Sequence, residues 1–182
     1  MRSAQRGIIS VVRFRASLFA ILVALILPTS AGAVVNAGTI QVNRGAAGIR
    51  LGMTRATVVS KLGTPIFQNG NGYMQYSETN IFDLYLNRAR RVRMLGVSGP
   101  NFCTRSGICM FDLFGVRKLK NQWGSRLKLL RLETGEQVYV LRGVVDGRRV
   151  FTSFSPTGTR LRSKIIMVFI GRCPPLPAVC GL

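Results

Sequence analysis

Arginines cluster at two places in the sequence, and the chemistry of their side chains is anion binding. Four lie within residues 88–93, and two more are adjacent at 148–149. A guanidinium group presents its N–H donors in a flat fork that fits carboxylate and phosphate oxygens. Arginines interleaved with aromatic residues on a sheet face are typical of protein interfaces and of polyanion grooves. The predicted binding residues are Tyr85, Arg91, Arg93, Tyr139, Arg149 and Phe151.

The supply of acids and bases argues against catalysis. The chain has no histidine, and it has six acidic residues against 26 lysines and arginines. Triads with a histidine base, histidine–metal sites and most phosphoryl-transfer sites therefore lack parts. The two candidate carboxylate pairs, Glu78 with Asp83 and Glu133 with Glu136, flank a hairpin turn and a strand entry, which are ordinary surface positions. We predict a protein that is not an enzyme and holds no metal or cofactor.

Four cysteines form two local pairs, each in a stretch rich in turn-forming residues. Cys103 and Cys109 are separated by five residues, and Cys173 and Cys180 by six. In an exported chain this spacing predicts two disulfides. Four cysteines allow three pairings, and we favour the two local ones because small loops close most readily. A zinc site is typically more tightly spaced and often includes a histidine.

The first 33 residues have the pattern of a signal peptide. Four arginines precede an almost purely apolar run over residues 16–27, and the sequence Ala31-Gly32-Ala33 offers a small-residue cleavage site. The run is shorter than the roughly 20 residues of a membrane span, so we expect residues 34–182 to form a single secreted domain without a stable span.

Removing the leader lowers the formal net charge from +20 to +16. That charge predicts attraction to polyanions, the alternative being solvated arginines enriched by GC-rich codons.

The elements that position these residues begin with one helix and three strands. Thr54 is a natural N-cap for a helix over Arg55–Leu62, in which Val58 and Leu62 recur at helical spacing. Apolar residues then alternate over residues 82–86, as in an antiparallel strand with one packed face. The predicted strands are Tyr73–Ser77, Ile81–Asn87 and Arg91–Ser98, and a further edge strand is possible near Thr39–Asn43.

The second half of the chain repeats this order of elements with little residue identity. Val116, Leu119 and Trp123 lie at helical spacing, and Asp146-Gly147 predicts a tight hairpin. The strands predicted here are Gln137–Val145, Arg149–Ser155 and Lys164–Ile170. We therefore predict an α+β fold of two tandem helix-plus-antiparallel-sheet units, residues 48–109 and 111–180, that form one continuous sheet with the helices on one face. A chance recurrence of a common helix-then-hairpin arrangement is the alternative.

The opening of the first helix resembles a known pattern. The sequence GIRLGMT at residues 48–54, followed by Val58, Leu62-Gly63 and Pro65, is similar to the LGMT-type helix opening of the small lipoprotein of the outer-membrane β-barrel assembly machine and of related lipoproteins. The tandem layout, with a small disulfide loop in each unit, is similar to the β-lactamase inhibitory proteins. The resemblance implies a sheet that is covered by helices on one side and free to bind protein on the other. It carries over no functional residue.

Two hypotheses about function follow. The first is a secreted, non-catalytic, disulfide-stabilised module whose open sheet face contacts another exported protein. The alternative is a cationic, envelope-associated protein that binds a polyanion such as a wall polymer, an acidic polysaccharide or a nucleic acid. Salt separates the two, because counterion release weakens polyanion binding as salt rises, whereas a packed and desolvated interface loses much less.

Overall fold

Strands dominate the computed structural model, which describes residues 35–173. Strand residues make up 45% and helix residues 14%. The prediction of an α+β fold of two helix-plus-sheet units is therefore wrong, and the protein is mainly β, with one sheet of eight strands and one of four. The difference arises because both helices are short and because the segment before the first helix folds into strands of its own.

The elements are numbered in chain order. The helices are α1 (Arg55–Leu62) and α2 (Gly115–Trp123), and a single 3₁₀ turn (Gly124–Arg126) follows α2. The strands are β1 (Gly38–Gln41), β2 (Gly45–Ala46), β3 (Ile49–Arg50), β4 (Phe67–Gln68), β5 (Tyr73–Gln75), β6 (Ile81–Leu86), β7 (Val92–Ser98), β8 (Phe102–Thr104), β9 (Lys128–Arg131), β10 (Gln137–Val145), β11 (Arg148–Pro156) and β12 (Ile165–Arg172).

The eight-stranded sheet is antiparallel throughout, with the strand order β4-β5-β6-β7-β12-β11-β10-β9. Each half of the chain contributes four strands, and the halves meet where β7 pairs with β12, with Val97 opposite Val168. The boundaries of the two predicted repeats stay a prediction, since residues 174–180 of the second lie outside the described part.

The four-stranded sheet has the order β3-β2-β1-β8 and was not predicted as a separate layer. Strand β1 covers part of the segment Thr39–Asn43 that was predicted as an edge strand. It pairs in parallel with β8, with Gly38 opposite Phe102. The predicted Cys103–Cys109 disulfide is confirmed and closes the loop after β8. The second predicted pair includes Cys180, and the predicted signal peptide is residues 1–33; both predictions concern residues outside the described range.

One face of the large sheet is covered by both helices and by the small sheet. Val58 of α1 and Leu119 of α2 belong to the same buried cluster as Leu84, Leu95 and Ile170 of the sheet. These three sheet residues lie side by side on β6, β7 and β12, and each is 0% exposed. Burial of each such side chain contributes about 1.5–3 kcal/mol, which explains why two short helices remain docked. We call the opposite side the helix-free face.

Both predicted helices form, and the residues that begin and end α1 can be explained physically. The hydroxyl of Thr54 accepts a hydrogen bond from the backbone N–H of Thr57 at 3.2 Å, which caps α1. Gly63 ends α1 with φ of +75°, a conformation that glycine adopts without steric penalty. Within residues 35–173 no helix is long and apolar enough to cross a membrane.

Candidate anion-binding site at one end of the sheet

The structure does not place the six predicted binding residues on one surface. Tyr85 is half-buried on the helix-free face, and Arg149 is exposed on that face. Phe151 shares the face but is 0% exposed, because it packs in a small cluster with Val138 and Val140.

Tyr139 lies on the other side of the sheet. It pairs with Phe154, which is three residues from Phe151, and alternation along a strand puts those two phenylalanines on opposite faces. Tyr139 is 2% exposed, and Lys120 Nζ of α2 lies 5.7 Å from its ring centroid. The placement of Tyr139 on the open face was therefore wrong.

Arg91 and Arg93 lie at the end of the sheet, not in the middle of a face. The β6–β7 pairing runs from Tyr85 opposite Met94 to Leu86 opposite Val92, so Arg93 is the extra residue of a bulge. A bulge changes the direction of a side chain, and here it leaves Arg93 exposed while Val92 is buried.

Strand termini from both halves of the chain meet at this end of the sheet. Because neighbouring strands are antiparallel, the ends of β6, β10 and β12 lie beside the beginnings of β7 and β11. The start of α1 joins them, since the N–H of Arg55 donates to the carbonyl of Arg90 at 2.8 Å. We call this region the arginine end. Its arginines are Arg55, Arg88, Arg90, Arg91, Arg93, Arg148, Arg149 and Arg172, and Asp146 is the acidic residue of its described loops.

The β6–β7 hairpin presents two of these arginines from a rigid loop. Asn87 and Arg91 close the hairpin, the N–H of Arg91 donating to Asn87 Oδ1 at 3.0 Å. The loop between them ends at Arg90, which has φ of +54°. Three-residue hairpin loops commonly end in this left-handed conformation, where glycine is favoured over a residue with a side chain. The chain therefore keeps a guanidinium group at a position where its backbone is strained.

A groove separates this hairpin from the loop over residues 69–72. It consists of two adjoining depressions of about 810 and 600 Å³ that share Gly70 and Arg90. Amide, glycine, alanine and leucine residues make up the rest of its lining, and no acidic or aromatic side chain is among the described residues there. We call it the arginine groove, after its four arginines Arg55, Arg88, Arg90 and Arg93.

Both walls of the arginine groove are held by hydrogen bonds. Asn69 Oδ1 accepts from the N–H groups of Asn71 and Tyr73, at 3.0 and 3.1 Å, which fixes the 69–72 loop. Arg55 Nη2 donates to Gln68 Oε1 at 2.7 Å, which orients one guanidinium. A guanidinium that is oriented in advance, as that of Arg55 is, pays less ordering entropy on binding an anion.

A second group of arginines lies along the same end, toward the β10–β11 hairpin. Arg172, at the end of β12, is half-buried, and burial lowers its pKa. The neighbouring charges of Arg148 and Arg91 lower that pKa further, and Asp146 opposes them. Arg91 Nη1 also donates to the carbonyl of Gly52 at 3.1 Å. These like charges are close enough to repel each other, so a bound anion would relieve an unfavourable field.

The helix-free face carries a different grouping around Asp83. Burial, and secondarily the Asp83 carboxylate, raises the pKa of Tyr73 to about 12. Burial also raises the pKa of Asp83, and a hydrogen bond from Tyr73 opposes that rise. Asp83 Oδ1 is buried without a hydrogen-bond partner among the described residues. The rings of Tyr73 and Tyr85 lie 5.3 Å apart, so this carboxylate sits in an aromatic setting.

Comparisons of the chain with protein-family models, with curated proteins and with solved structures found no match. In residues 35–173 no three histidine, cysteine, aspartate or glutamate residues come together as metal ligands. Sequence reasoning missed Arg55 and Arg172 as members of the site, because strand order brings Arg172 beside the predicted cluster and the contact of α1 with the β6–β7 hairpin brings Arg55 there. The turn-forming residues Asn69, Gly70, Asn71 and Gly72 indicate a loop from sequence alone, and the structure places that loop at one wall of the groove.

Proposed function

We propose that this protein is an exported, non-catalytic protein that binds an oxyanion-bearing polymer at its arginine end. The observation that carries the proposal is the arginine groove, in which four arginines and several amides line two adjoining depressions that share Arg90 and have no acidic residue in their described lining. Guanidinium forks bind phosphate, sulfate and carboxylate oxygens through charge-assisted hydrogen bonds. The lack of histidine throughout the chain supports a non-catalytic role.

The lining of the groove also limits how the polymer is recognised. Proteins that hold single-stranded nucleic acid stack its bases on aromatic side chains. The described lining of the arginine groove has none, so recognition there rests on backbone charge and not on bases. An exported location is supported by the signal-peptide pattern and by the Cys103–Cys109 disulfide, a bond typical of oxidising compartments.

A protein partner on the helix-free face is the second candidate. The observation that favours it is the row Phe67, Tyr73 and Tyr85, whose ring centroids are 6.0 and 5.3 Å apart across three strands. Phe67 is 53% exposed at the edge of the sheet, and aromatic residues are enriched in protein interfaces. This candidate keeps the predicted open face of the sheet and the predicted residue Tyr85, and it adds Phe67 and Tyr73.

The test is a titration of the oxidised, exported protein with long-chain polyphosphate, a sulfated polysaccharide and duplex DNA at several salt concentrations. We expect binding that falls linearly on a log–log plot against salt, because arginines that replace counterions release them. The double variant Arg88→Gln with Arg90→Gln should weaken binding by at least about tenfold at 0.1 M salt.

The matched control is Arg160→Gln with Arg162→Gln, which removes the same charge from the far end of the sheet. Equal losses in the two double variants would show that net charge alone attracts the polymer, and would overturn the groove. Binding of none of the three polymers, together with capture of a protein that Tyr73→Ala and Tyr85→Ala abolish, would favour the second candidate.

A further inference from the structure

We infer that the bound polymer is linear and lies across the strand ends, contacting the arginine groove and a second cluster at the β10–β11 hairpin. The second cluster consists of Arg148 and Arg172, which alternation puts on the helix-covered side of the sheet, and Arg149, which lies at the same strand end on the helix-free side. This inference rests on the proposed function and adds to it the shape, direction and minimum length of the ligand.

The strand order sets the distance between the two clusters. From β6, which leads into the groove hairpin, to β11, which begins with Arg148 and Arg149, the sheet crosses β7 and β12. Neighbouring strands lie about 4.8 Å apart, so these three steps span about 14 Å. An isolated phosphate or a short oligophosphate is shorter than this distance, whereas an extended polyanion covers it.

Positive charge continues between the clusters. Arg91, beside the groove hairpin, and Arg148, beside the second hairpin, both lower the pKa of Arg172 through their charge. Arg172, on the side of the second cluster nearer the groove, therefore lies within electrostatic reach of the groove hairpin and of Arg148. Asp146 is the acidic residue on this path among the described loops, and its charge acts on the same arginine.

A linear ligand gains from contacting both clusters at once. When one segment is bound in the groove, the next segment is held near the second cluster at a high effective concentration. Each further phosphate contact also releases a counterion, which adds to affinity at low salt. Long chains should therefore bind more tightly than short ones by more than the number of their phosphates explains.

The test compares tripolyphosphate with long-chain polyphosphate by calorimetric titration of the oxidised, exported protein. The variant pair Arg148→Gln with Arg149→Gln changes two exposed positions, and its thermal unfolding without ligand checks the fold. We expect it to weaken long-chain binding by about tenfold at 0.1 M salt and tripolyphosphate binding by less than about twofold. The groove pair Arg88→Gln with Arg90→Gln should weaken both probes. Arg148→Gln alone repeats the test with half the charge change at the residue whose charge acts on Arg172.

Each other outcome has a distinct meaning. If the Arg148 and Arg149 pair weakens both probes equally, or weakens the long chain no more than the Arg160 and Arg162 pair does, the track across the strand ends is overturned. The proposed function survives that result as long as the groove pair still weakens binding. If the unsubstituted protein binds neither probe, nor the other polymers tested above, the proposed function and this inference fail together.

Discussion

The two ends of the large sheet differ sharply in charge although hairpin loops form both of them. The arginine end carries eight arginines and Asp146. The loops at the far end mix charges, with the glutamates Glu78, Glu133 and Glu136 near the basic residues Arg131, Arg160, Arg162 and Lys164. Enrichment of arginine by codon composition alone would leave both ends equally basic. The asymmetry indicates that position, and not only composition, concentrates positive charge where strands end.

Reversing the charge at each end of the sheet is the strongest test of this difference. Arg88→Glu with Arg90→Glu puts two negative charges into the arginine groove and should weaken long-chain polyphosphate binding by about 100-fold at 0.1 M salt. The same reversal at Arg160 and Arg162 should weaken it by no more than about threefold, since those residues lie at the far end. Affinity measurements on both double variants check this, and similar losses would remove the distinction between the ends.

The strained residue of the groove hairpin separates binding from stability. Arg90→Gly removes a guanidinium but relieves a backbone with φ of +54°. We expect about a fivefold loss of affinity together with an unfolding free energy that is unchanged or up to about 1 kcal/mol higher.

Arg88→Gly is the matched control, because Arg88 is not among the described residues with positive φ. It should lose similar affinity and also lower the unfolding free energy by about 0.5–1 kcal/mol, since glycine gives the unfolded chain more freedom. Denaturant unfolding of the pair measures this difference. If Arg90→Gly is destabilised as much as Arg88→Gly, the left-handed conformation stores no strain.

Removing the acidic residue from the arginine end should strengthen binding. Asp146 has φ of +51° in the two-residue turn with Gly147, and asparagine is equally suited to that turn. Asp146→Asn should therefore keep the hairpin and raise long-chain polyphosphate affinity by about threefold at 0.1 M salt. Glu133→Gln makes the same change at the far end and should leave affinity unchanged. An equal gain from both variants would indicate long-range attraction without a local site.

Local sequence signals predicted much of the secondary structure. The spacing of Val58 and Leu62 behind the Thr54 cap predicted α1 with its observed bounds, and Asp146-Gly147 marked the observed hairpin. The fold class was wrong because short strands such as β2 and β3 contain two residues each, too few to show an alternating pattern.

The candidate site was harder to predict because it depends on register and strand order. Tyr139 and Phe151 look alike in sequence, yet their pairing puts them on opposite faces of the sheet. The bulge at Arg93 gives no local signal, and Arg172 joins the site only because β12 pairs with β7. Contacts between residues distant in sequence thus decide which arginines belong together, and no local pattern encodes them.

Asp83 tests whether the middle of the sheet is independent of the arginine end. Its pKa is raised by burial in the folded protein, so the folded state holds this proton more tightly than the unfolded state does. The stability that this group contributes is complete below its unfolded pKa and is lost as pH rises through the raised folded value. Asp83→Asn removes the charge and so should raise the unfolding free energy near pH 7 by about 1 kcal/mol, the usual scale for an unsatisfied buried polar atom. The advantage should shrink toward pH 4, where unfolding curves of both proteins should converge.

Polyphosphate affinity should not change, because Asp83 lies on the helix-free face and not among the strand ends. A pH-independent difference in stability would show that the amide acts through packing, and a gain in affinity would show that the charge of the central sheet also governs the arginine end.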